Sequence, residues 1–320
     1  MNIQITGLGM AIPPEVETAE ELAGKVHRSA EWIIQQTGVE RRHICQGPVE
    51  VLAAEAARAA LGDGPPPDLL INASLTPRQL IPDTSVFIMR ELGFSGFPSF
   101  SIHATCLSFL VALQNAAALV SSGAYRRVLV VSAERGSVCR NFEEPASAVL
   151  IGDGAAAAII EAAPAGSPSK LQRVEMATWP DGAELTEIRG CGIFRRPDDP
   201  RIVDSDYLFH MNGPGIYKMA RRRVMVLIKR LLSNVGLTQD DVDLVVPHQA
   251  SGPALQALRH YGFEPSKIIN IIAEYGNCVA ASMPMALTVA HQNGRLKRGD
   301  RVLLLGTGAG LSVAGAVMIW

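Results

Sequence analysis

Apolar runs typical of buried strands alternate along the chain with segments whose apolar positions recur at helical spacing. In the first half, residues 49–61 (VEVLAAEAARAAL) predict an amphipathic helix, and residues 68–74 (DLLINAS) predict a buried strand after a Gly/Pro linker. Residues 99–123 then predict a short strand, a turn around Cys106 and a helix. Residues 126–134 (RRVLVVSAE) predict another buried strand.

The second half repeats this order of elements. A helix, a buried strand, a second helix, a strand-turn-helix unit and a closing strand are predicted in turn over residues 220–237, 242–251, 254–262, 269–294 and 300–310. The spacing agrees as well, because Asp68 lies 60 positions before Val128 and Asp243 lies 59 positions before Val302. The pattern therefore predicts two duplicated α/β halves.

This alternation predicts parallel sheets covered by helices on both faces, with one half over residues 1–165 and the other over residues 166–320. In such sheets, functional residues lie just beyond the carboxyl ends of strands. Three polar residues occupy predicted strand ends, namely Cys106 in the first half and His248 and Asn277 in the second. A candidate site would then combine residues of both halves.

Composition excludes several other classes of protein. Hydrophobic residues make up 48% of the 320 positions and charged residues 19%, which is typical of a folded soluble protein. The formal charge of −2 gives no electrostatic footprint for nucleic acid, and no apolar run is long enough to cross a bilayer. The first residues lack the basic segment of a signal peptide, so we expect a cytoplasmic protein.

The cysteines and histidines do not predict a metal site. Five cysteines at wide spacing form no C-x-x-C pair, and seven histidines form no H-x-x-x-H or H-E-x-x-H arrangement. An odd number of separated cysteines is typical of reduced thiols in a reducing compartment. We therefore expect free thiols and no metal ion.

Each of the three strand-end residues has an ordinary and a catalytic interpretation. Cys106 is either a small buried thiol or a nucleophile at a helix start, where the helix dipole would lower its pKa. His248 is either a core histidine with its hydrogen bonds made within the protein or a proton donor. Asn277 is either a turn residue or a hydrogen-bond donor to an oxyanion. Together they supply what an acyl-thioester mechanism needs. Papain-like proteases use the same residue types, but their local signature around the cysteine is absent.

Five motifs, together with residues 29–44 (SAEWIIQQTGVERRHI), resemble β-ketoacyl-acyl carrier protein synthase III of the thiolase superfamily. In chain order the motifs are TCLSFLVAL, IGDGAAAAII, VPHQAS, YGNCVAASMPMAL and the C-terminal GTGAGLSVAGAVMIW. The resemblance implies a thiolase-like fold with five α-β-α-β-α layers. It also implies a homodimer that acylates Cys106 from an acyl-coenzyme A and condenses the acyl group with a malonyl thioester. Coenzyme A thioesters would be substrates, and no cofactor is implied.

The resemblance assigns roles to nine residues. Cys106 is the acylated nucleophile, His248 and Asn277 hold the extender thioester, and the N–H groups of Cys106 and Ala309 form an oxyanion hole. The remaining substrate-binding assignments are Trp32, Ile81, Leu107, Gly213 and Ser251. Of these, Trp32 matches an aromatic residue that stacks on adenine, and Ile81 stands near an acyl pocket at the dimer interface.

Several departures from the family pattern concern substrate binding. Gln36, Pro145 and Pro253 stand where family members commonly have arginines. Five basic side chains could compensate for these missing arginines by binding an acidic acyl carrier protein, or could simply form a solvated helix face. They are Lys218, Arg221, Arg222, Arg223 and Arg259. Two alternative functions remain, which are acyl transfer to a non-malonyl acceptor and a non-catalytic partner subunit of a heterodimer.

Overall fold

The first of two large sheets is built from the N-terminal half of the chain. The computed structural model describes residues 1–320. The strand order in this sheet is β1-β7-β6-β4-β5. Its strands are β1 (Ile3–Ala11), β4 (Leu69–Asn72), β5 (Ser99–Ser101), β6 (Arg127–Glu134) and β7 (Gly154–Ala162).

The second large sheet repeats this arrangement with C-terminal strands in the order β11-β12-β13-β8. Its strands are β8 (Lys170–Gly182), β11 (Leu244–Pro247), β12 (Arg301–Gly308) and β13 (Gly310–Ile319). A parallel bridge between Val245 and Ile268 stands where the first sheet has β5. Two small antiparallel sheets pair β2 (Glu15–Thr18) with β3 (Arg41–Ile44), and β9 (Thr186–Glu187) with β10 (His210–Met211). Whether the halves are separate domains that meet at residue 165 stays a prediction.

Ten α-helices connect and cover these sheets. They are α1 (Ala19–Val26), α2 (Ala30–Thr37), α3 (Val49–Leu61), α4 (Thr84–Leu92), α5 (Ser108–Ser121), α6 (Pro145–Ala148), α7 (Gly213–Ser233), α8 (Gly252–Gln256), α9 (Ile272–Tyr275) and α10 (Ser282–Gln292). None of them is long and apolar enough to span a lipid bilayer.

The five-layered α-β-α-β-α architecture is confirmed by three apolar clusters. The largest cluster contains α5 and α10 between the two sheets, where α10 is buried on nearly every side. A second cluster packs α3 and α4 on the outer face of the first sheet. A third packs α7 and α8 on the outer face of the second sheet. A helix buried on all sides lacks a polar face, which explains the apolar composition of α10, whereas α5 exposes Gln114 and Asn115.

The prediction of purely parallel sheets is wrong, because both sheets are mixed. Strands β4, β5 and β6 are parallel, whereas β7 runs antiparallel to both β6 and β1. In the second sheet, β11 and β12 are parallel, and β13 runs antiparallel to β12 and β8. The physical reason is visible between β12 and β13, where a single residue connects the strands and leaves no room for a helical crossover.

Candidate active site

Cys106 lies in a single 3-10 turn, Thr105–Leu107, between β5 and α5. Thr105 has a φ of 53°, which a β-branched residue rarely adopts and which only firm surrounding contacts sustain. The chain at the end of β12 presses against this turn, since a Cβ placed on Gly308 would lie 2.6 Å from Thr105 Oγ1. A glycine is therefore required at residue 308 for the two segments to approach.

The pKa of Cys106 is raised to about 12, first by burial and then by the nearby Glu134 carboxylate. The main-chain N–H groups of Cys106 and Ala309 lie near enough to the sulfur to oppose this shift without cancelling it. The net shift of this pKa is therefore upward, opposite to the direction that a helix terminus alone would give, because burial and a like charge outweigh the two N–H groups. In the resting protein Cys106 is a neutral thiol.

His248 follows directly after β11, and its main-chain N–H donates to the Leu305 carbonyl at 2.8 Å. Only 5% of the residue is exposed, and its ring Nδ1 is buried without a hydrogen-bond partner. Burial lowers the pKa of His248 to about 4, so the imidazole is neutral at pH 7. A neutral ring can donate a hydrogen bond from one nitrogen and accept with the other.

Asn277 has its side-chain amide fixed by hydrogen bonds to the surrounding chain. Its Oδ1 accepts from the Val279 N–H at 2.8 Å and from the Ser282 hydroxyl at 3.4 Å. Its Nδ2 donates to the Ala250 carbonyl at 3.3 Å, two residues after His248. An amide nitrogen carries two hydrogens, so one N–H remains for a ligand while the acceptor side is occupied.

The structure brings Cys106, His248 and Asn277 into one region. A Cβ placed on Gly306 would lie 2.9 Å from Leu107 Cδ2 and 3.1 Å from His248 Cβ, so Gly306 separates the cysteine turn from the histidine. The cysteine turn also contacts the turn Val279–Ala281 that follows Asn277. The strand-end residues of both halves therefore meet at one place.

A cavity of about 460 Å³ opens against His248. Gly213 at the start of α7 and Ser251 at the start of α8 both line it, as expected for a substrate channel. The Ser251 hydroxyl accepts from the Ala254 N–H at 3.3 Å, so this residue is also a helix cap. Near the same channel, Trp32 of α2 lies under the guanidinium of Arg28, 5.4 Å from the ring centroid.

Three predicted substrate contacts do not line this cavity, and they are Trp32, Leu107 and Ile81. Leu107 is fully buried in the central cluster, so it forms the wall behind the cysteine turn rather than its accessible surface. Ile81 is 80% exposed and lies outside the cavity within one chain, so its place in an acyl pocket depends on a second copy and stays a prediction. No group of three or more His, Cys, Asp or Glu side chains is arranged to hold a metal ion.

Comparison with known proteins identifies the family. Two models of 3-oxoacyl-[acyl-carrier-protein] synthase III match the chain, the first over residues 100–179 and its C-terminal counterpart over residues 232–320. The β-ketoacyl-[acyl-carrier-protein] synthase III of Neisseria gonorrhoeae is 34% identical over 99% of this chain and 98% of its own length. The chain belongs to the 3-oxoacyl-[acyl-carrier-protein] synthase III family.

Further family members agree over the whole chain. The Rickettsia bellii synthase III is 31% identical, with full coverage of both proteins. The crystal structure of the Aquifex aeolicus synthase III superposes with a TM-score of 0.90 at 30% identity, covering 99% of this chain and all of that one. The thiolase-like fold and the synthase III-type acyltransferase class that the motifs predict are thereby confirmed.

Glu134, the last residue of β6, is a feature of this synthase III site that the sequence analysis missed. Its side chain is fully buried and accepts from the Leu75 N–H, from the Thr76 N–H at 3.2 Å and from the Thr76 hydroxyl at 2.9 Å. The Ala280 N–H also donates to it, and burial raises its pKa to about 7. Functional residues in such sheets lie at the carboxyl ends of strands, and this criterion, which pointed to Cys106 and His248, applies equally to Glu134.

We expect Glu134→Gln to lower the free energy of unfolding by about 1–3 kcal/mol, because an amide NH₂ would face N–H donors that need an acceptor. The raised folded-state pKa makes the wild type lose stability as pH rises from 4.5 to about 7. The variant lacks this loss, so the difference in free energy of unfolding between the wild type and the variant should be larger at pH 5 than at pH 8. Urea unfolding at both pH values measures it, with the exposed Glu143→Gln as control. An equal loss of unfolding free energy in Glu143→Gln would contradict the assignment of Glu134 as a buried hydrogen-bond acceptor.

Proposed function

We propose that this synthase III acylates Cys106 from an acyl-coenzyme A and then condenses the acyl group with a malonyl thioester. The products are a 3-oxoacyl thioester and carbon dioxide. The observation that carries the proposal is that the Cys106 turn meets His248 across Gly306 and also meets the turn that follows Asn277. The nearby N–H groups of Cys106 and Ala309 would stabilise the oxyanion that forms when the thiol attacks a thioester.

In the proposed first step, the Cys106 thiol attacks the thioester carbonyl and the coenzyme A thiolate leaves. Because the pKa of Cys106 is raised to about 12, the thiol must lose its proton during the attack. The neutral imidazole of His248 is available to accept that proton and return it to the leaving thiolate. The thioester tail would lie along Gly213 and Ser251 in the cavity.

In the proposed second step, the malonyl thioester loses carbon dioxide and leaves an enolate. The enolate oxygen needs donors, and the neutral His248 ring and the free N–H of Asn277 supply two without a metal ion or a separate cofactor. The enolate carbon then attacks the acyl carbonyl, and the Cys106 thiolate leaves.

Mass spectrometry of the wild-type protein tests the two steps separately. Incubation with an acyl-coenzyme A should add one acyl mass, and later addition of malonyl-coenzyme A should remove it and yield a 3-oxoacyl thioester. An adduct discharged only by another nucleophile would mean acyl transfer to a non-malonyl acceptor. Absence of any adduct would favour a non-catalytic partner subunit and overturn the proposal.

We propose an acidic acyl carrier protein as the donor of the malonyl group. Four basic side chains are exposed on α7 and on the turn after α8, and none pairs with a carboxylate: Lys218, Arg221, Arg222 and Arg259. Arg221 lines the mouth of the cavity, so a partner on this face would lie beside the channel. Arg223 differs, because its guanidinium packs over the Trp179 ring at 4.7 Å.

We expect the double variant Arg221→Glu, Arg222→Glu to raise KM for a malonyl-carrier protein by about tenfold, because reversed charges weaken the electrostatic encounter. KM for malonyl-coenzyme A should change much less. Steady-state kinetics at low and high salt measure both, and salt should reduce the difference. The exposed Arg126→Glu in the other half serves as control. Equal KM changes for both extenders would contradict carrier docking on α7.

We also propose that the protein is a cytoplasmic homodimer. Leu80 and Ile81 are 82% and 80% exposed, which is unusual for two adjacent apolar side chains and is explained by contact with a second copy. Light scattering coupled to gel filtration measures the mass in solution. A monomer at micromolar concentration would contradict the dimer.

A further inference from the structure

Two side chains, Glu144 and His210, join two segments that both contribute to the wall of the cavity beside His248. Glu144 precedes α6, whose Ala146 lines the cavity, and His210 is the first residue of β10, whose Met211 lines it as well. Neither Glu144 nor His210 lines the cavity itself. The pair therefore lies behind the wall and acts on a ligand only through its neighbours.

Both ring nitrogens of His210 face oxygen acceptors. Nδ1 lies 2.6 Å from Oε1 of Glu144, and Nε2 lies 2.8 Å from the carbonyl oxygen of Ser205. A neutral imidazole carries only one N–H, so one of these two contacts would bring a nitrogen lone pair against an oxygen. A doubly protonated ring donates to both oxygens. The contacts therefore favour an imidazolium at His210.

The Glu144 carboxylate connects the two segments through adjacent residues. Its second oxygen, Oε2, accepts from the Met211 N–H at 3.1 Å, next to the ring that donates to Oε1. On the other side, the Glu144 carbonyl oxygen accepts from the N–H groups of Ser147 and Ala148 in α6, both at 3.1 Å. A displacement of Glu144 would therefore be transmitted to α6 and to Met211 together.

The charges around the ring also favour its protonated form. Besides Glu144, the titratable groups on the elements packed around His210 are Cys139, Glu143, Glu187, Arg189, Asp204, Asp206 and Tyr207. Arg189 opposes protonation, but it lies 2.8 Å from Asp206 Oδ1, and the other charged groups are carboxylates. The Ser205 carbonyl first, and then Glu144, raise the pKa of His210 above its ordinary value of 6.5 in spite of partial burial.

We propose that His210 is a positioning residue whose doubly protonated ring, by holding Glu144, keeps this cavity wall in the shape that binds the thioester tail of an acyl-coenzyme A. The inference rests on the proposed function, which places that tail in the cavity. The ring keeps both protons below its raised pKa and loses one as the pH rises through that pKa. The contribution of His210 to binding is therefore present at low pH and lost at high pH.

Binding at two pH values tests the inference. We expect His210→Gln to raise the dissociation constant of coenzyme A about fivefold at pH 6, because a hydrogen-bonded ion pair is lost, and to change it little at pH 9. Calorimetry measures this constant, and KM for acetyl-coenzyme A should change in parallel. The kcat of acylation should match the wild type, because weaker binding no longer matters at saturation. An equal effect of the substitution at both pH values would overturn the inference.

Two further variants complete the test. His291→Gln makes the same substitution at an exposed histidine at the end of α10 and should bind coenzyme A as the wild type does at both pH values. Glu144→Gln covers the case in which His210→Gln does not fold. It removes a carboxylate that raises the pKa of His210, so the pH at which binding weakens should move downward. An unmoved midpoint would contradict the inference.

The acylation reaction separates failure of this inference from failure of the proposed function. If the wild type forms acyl-Cys106 but its binding of coenzyme A has the same pH dependence as that of His210→Gln, the positioning role alone is refuted. If the wild type forms no acyl-Cys106, the proposed function is refuted and the inference with it.

Discussion

We expect Cys106→Ala to show no acyl adduct after incubation with an acyl-coenzyme A, while the wild type gains one acyl mass. The reason is geometric, because Cys106 lies in the turn that meets both His248 and the turn after Asn277. Removing the sulfur leaves this turn without a nucleophile. Intact-protein mass spectrometry measures the adduct, and condensation activity should be lost with it.

The other cysteines provide matched controls for this result. Cys139→Ala and Cys278→Ala should retain the adduct, since no main-chain N–H group lowers the pKa of either thiol as the N–H groups of Cys106 and Ala309 do for Cys106. Cys278 is fully buried in the central cluster, so its replacement tests whether loss of a core thiol alone affects acylation. An adduct that persists in Cys106→Ala, or that disappears in Cys139→Ala, would remove the assignment of the nucleophile.

The second large effect is expected for Asn277→Ala, which should still acylate Cys106 but condense about 100- to 1000-fold more slowly. Loss of one preorganised donor to a developing oxyanion has an effect of this size. Acylation depends instead on the N–H groups of Cys106 and Ala309, which the substitution leaves in place. Single-turnover mass spectrometry measures both rates on the same protein.

Two further variants show whether the effect comes from the amide nitrogen. Asn277→Asp keeps the oxygen that accepts from the Val279 N–H but replaces the donor with a carboxylate oxygen, so it should condense as poorly as alanine. Asn293→Ala removes an exposed carboxamide at the end of α10 and should behave as wild type. Equal slowing of acylation and condensation in Asn277→Ala would contradict the division between the two steps.

The repeat in the sequence predicted much of the fold, and its errors concern strand direction. Residues 68–74 and 242–251 contain the parallel strands β4 and β11, and both are followed by helices as expected. The antiparallel β7 and β13 are apolar runs like the others, because both are buried on two faces. Burial fixes the composition of such a strand but not its direction, which depends on the connection.

The sequence predicted which residues form the candidate site, but it did not predict their pKa values. Cys106 comes after β5 and His248 after β11, and a repeat in the sequence is enough to align those ends, whereas Asn277 comes after α9 rather than after the strand that the sequence predicts. The raised pKa of Cys106 was not predictable, because it depends on burial and on Glu134 from another strand. Glu134 itself ends an apolar run as a single acidic residue, so only its hydrogen bonds to Leu75 and Thr76 reveal it.

The main-chain N–H of Ala309 determines which amino-acid substitutions can affect this site. Ala309 acts on the Cys106 sulfur through its main-chain N–H, which every amino acid except proline possesses. Alanine scanning and most point mutations therefore leave this half of the proposed oxyanion hole intact and cannot detect it. Replacement of the 309 amide by a backbone ester, which removes the N–H and keeps the side chain, is the chemical change that exposes its contribution.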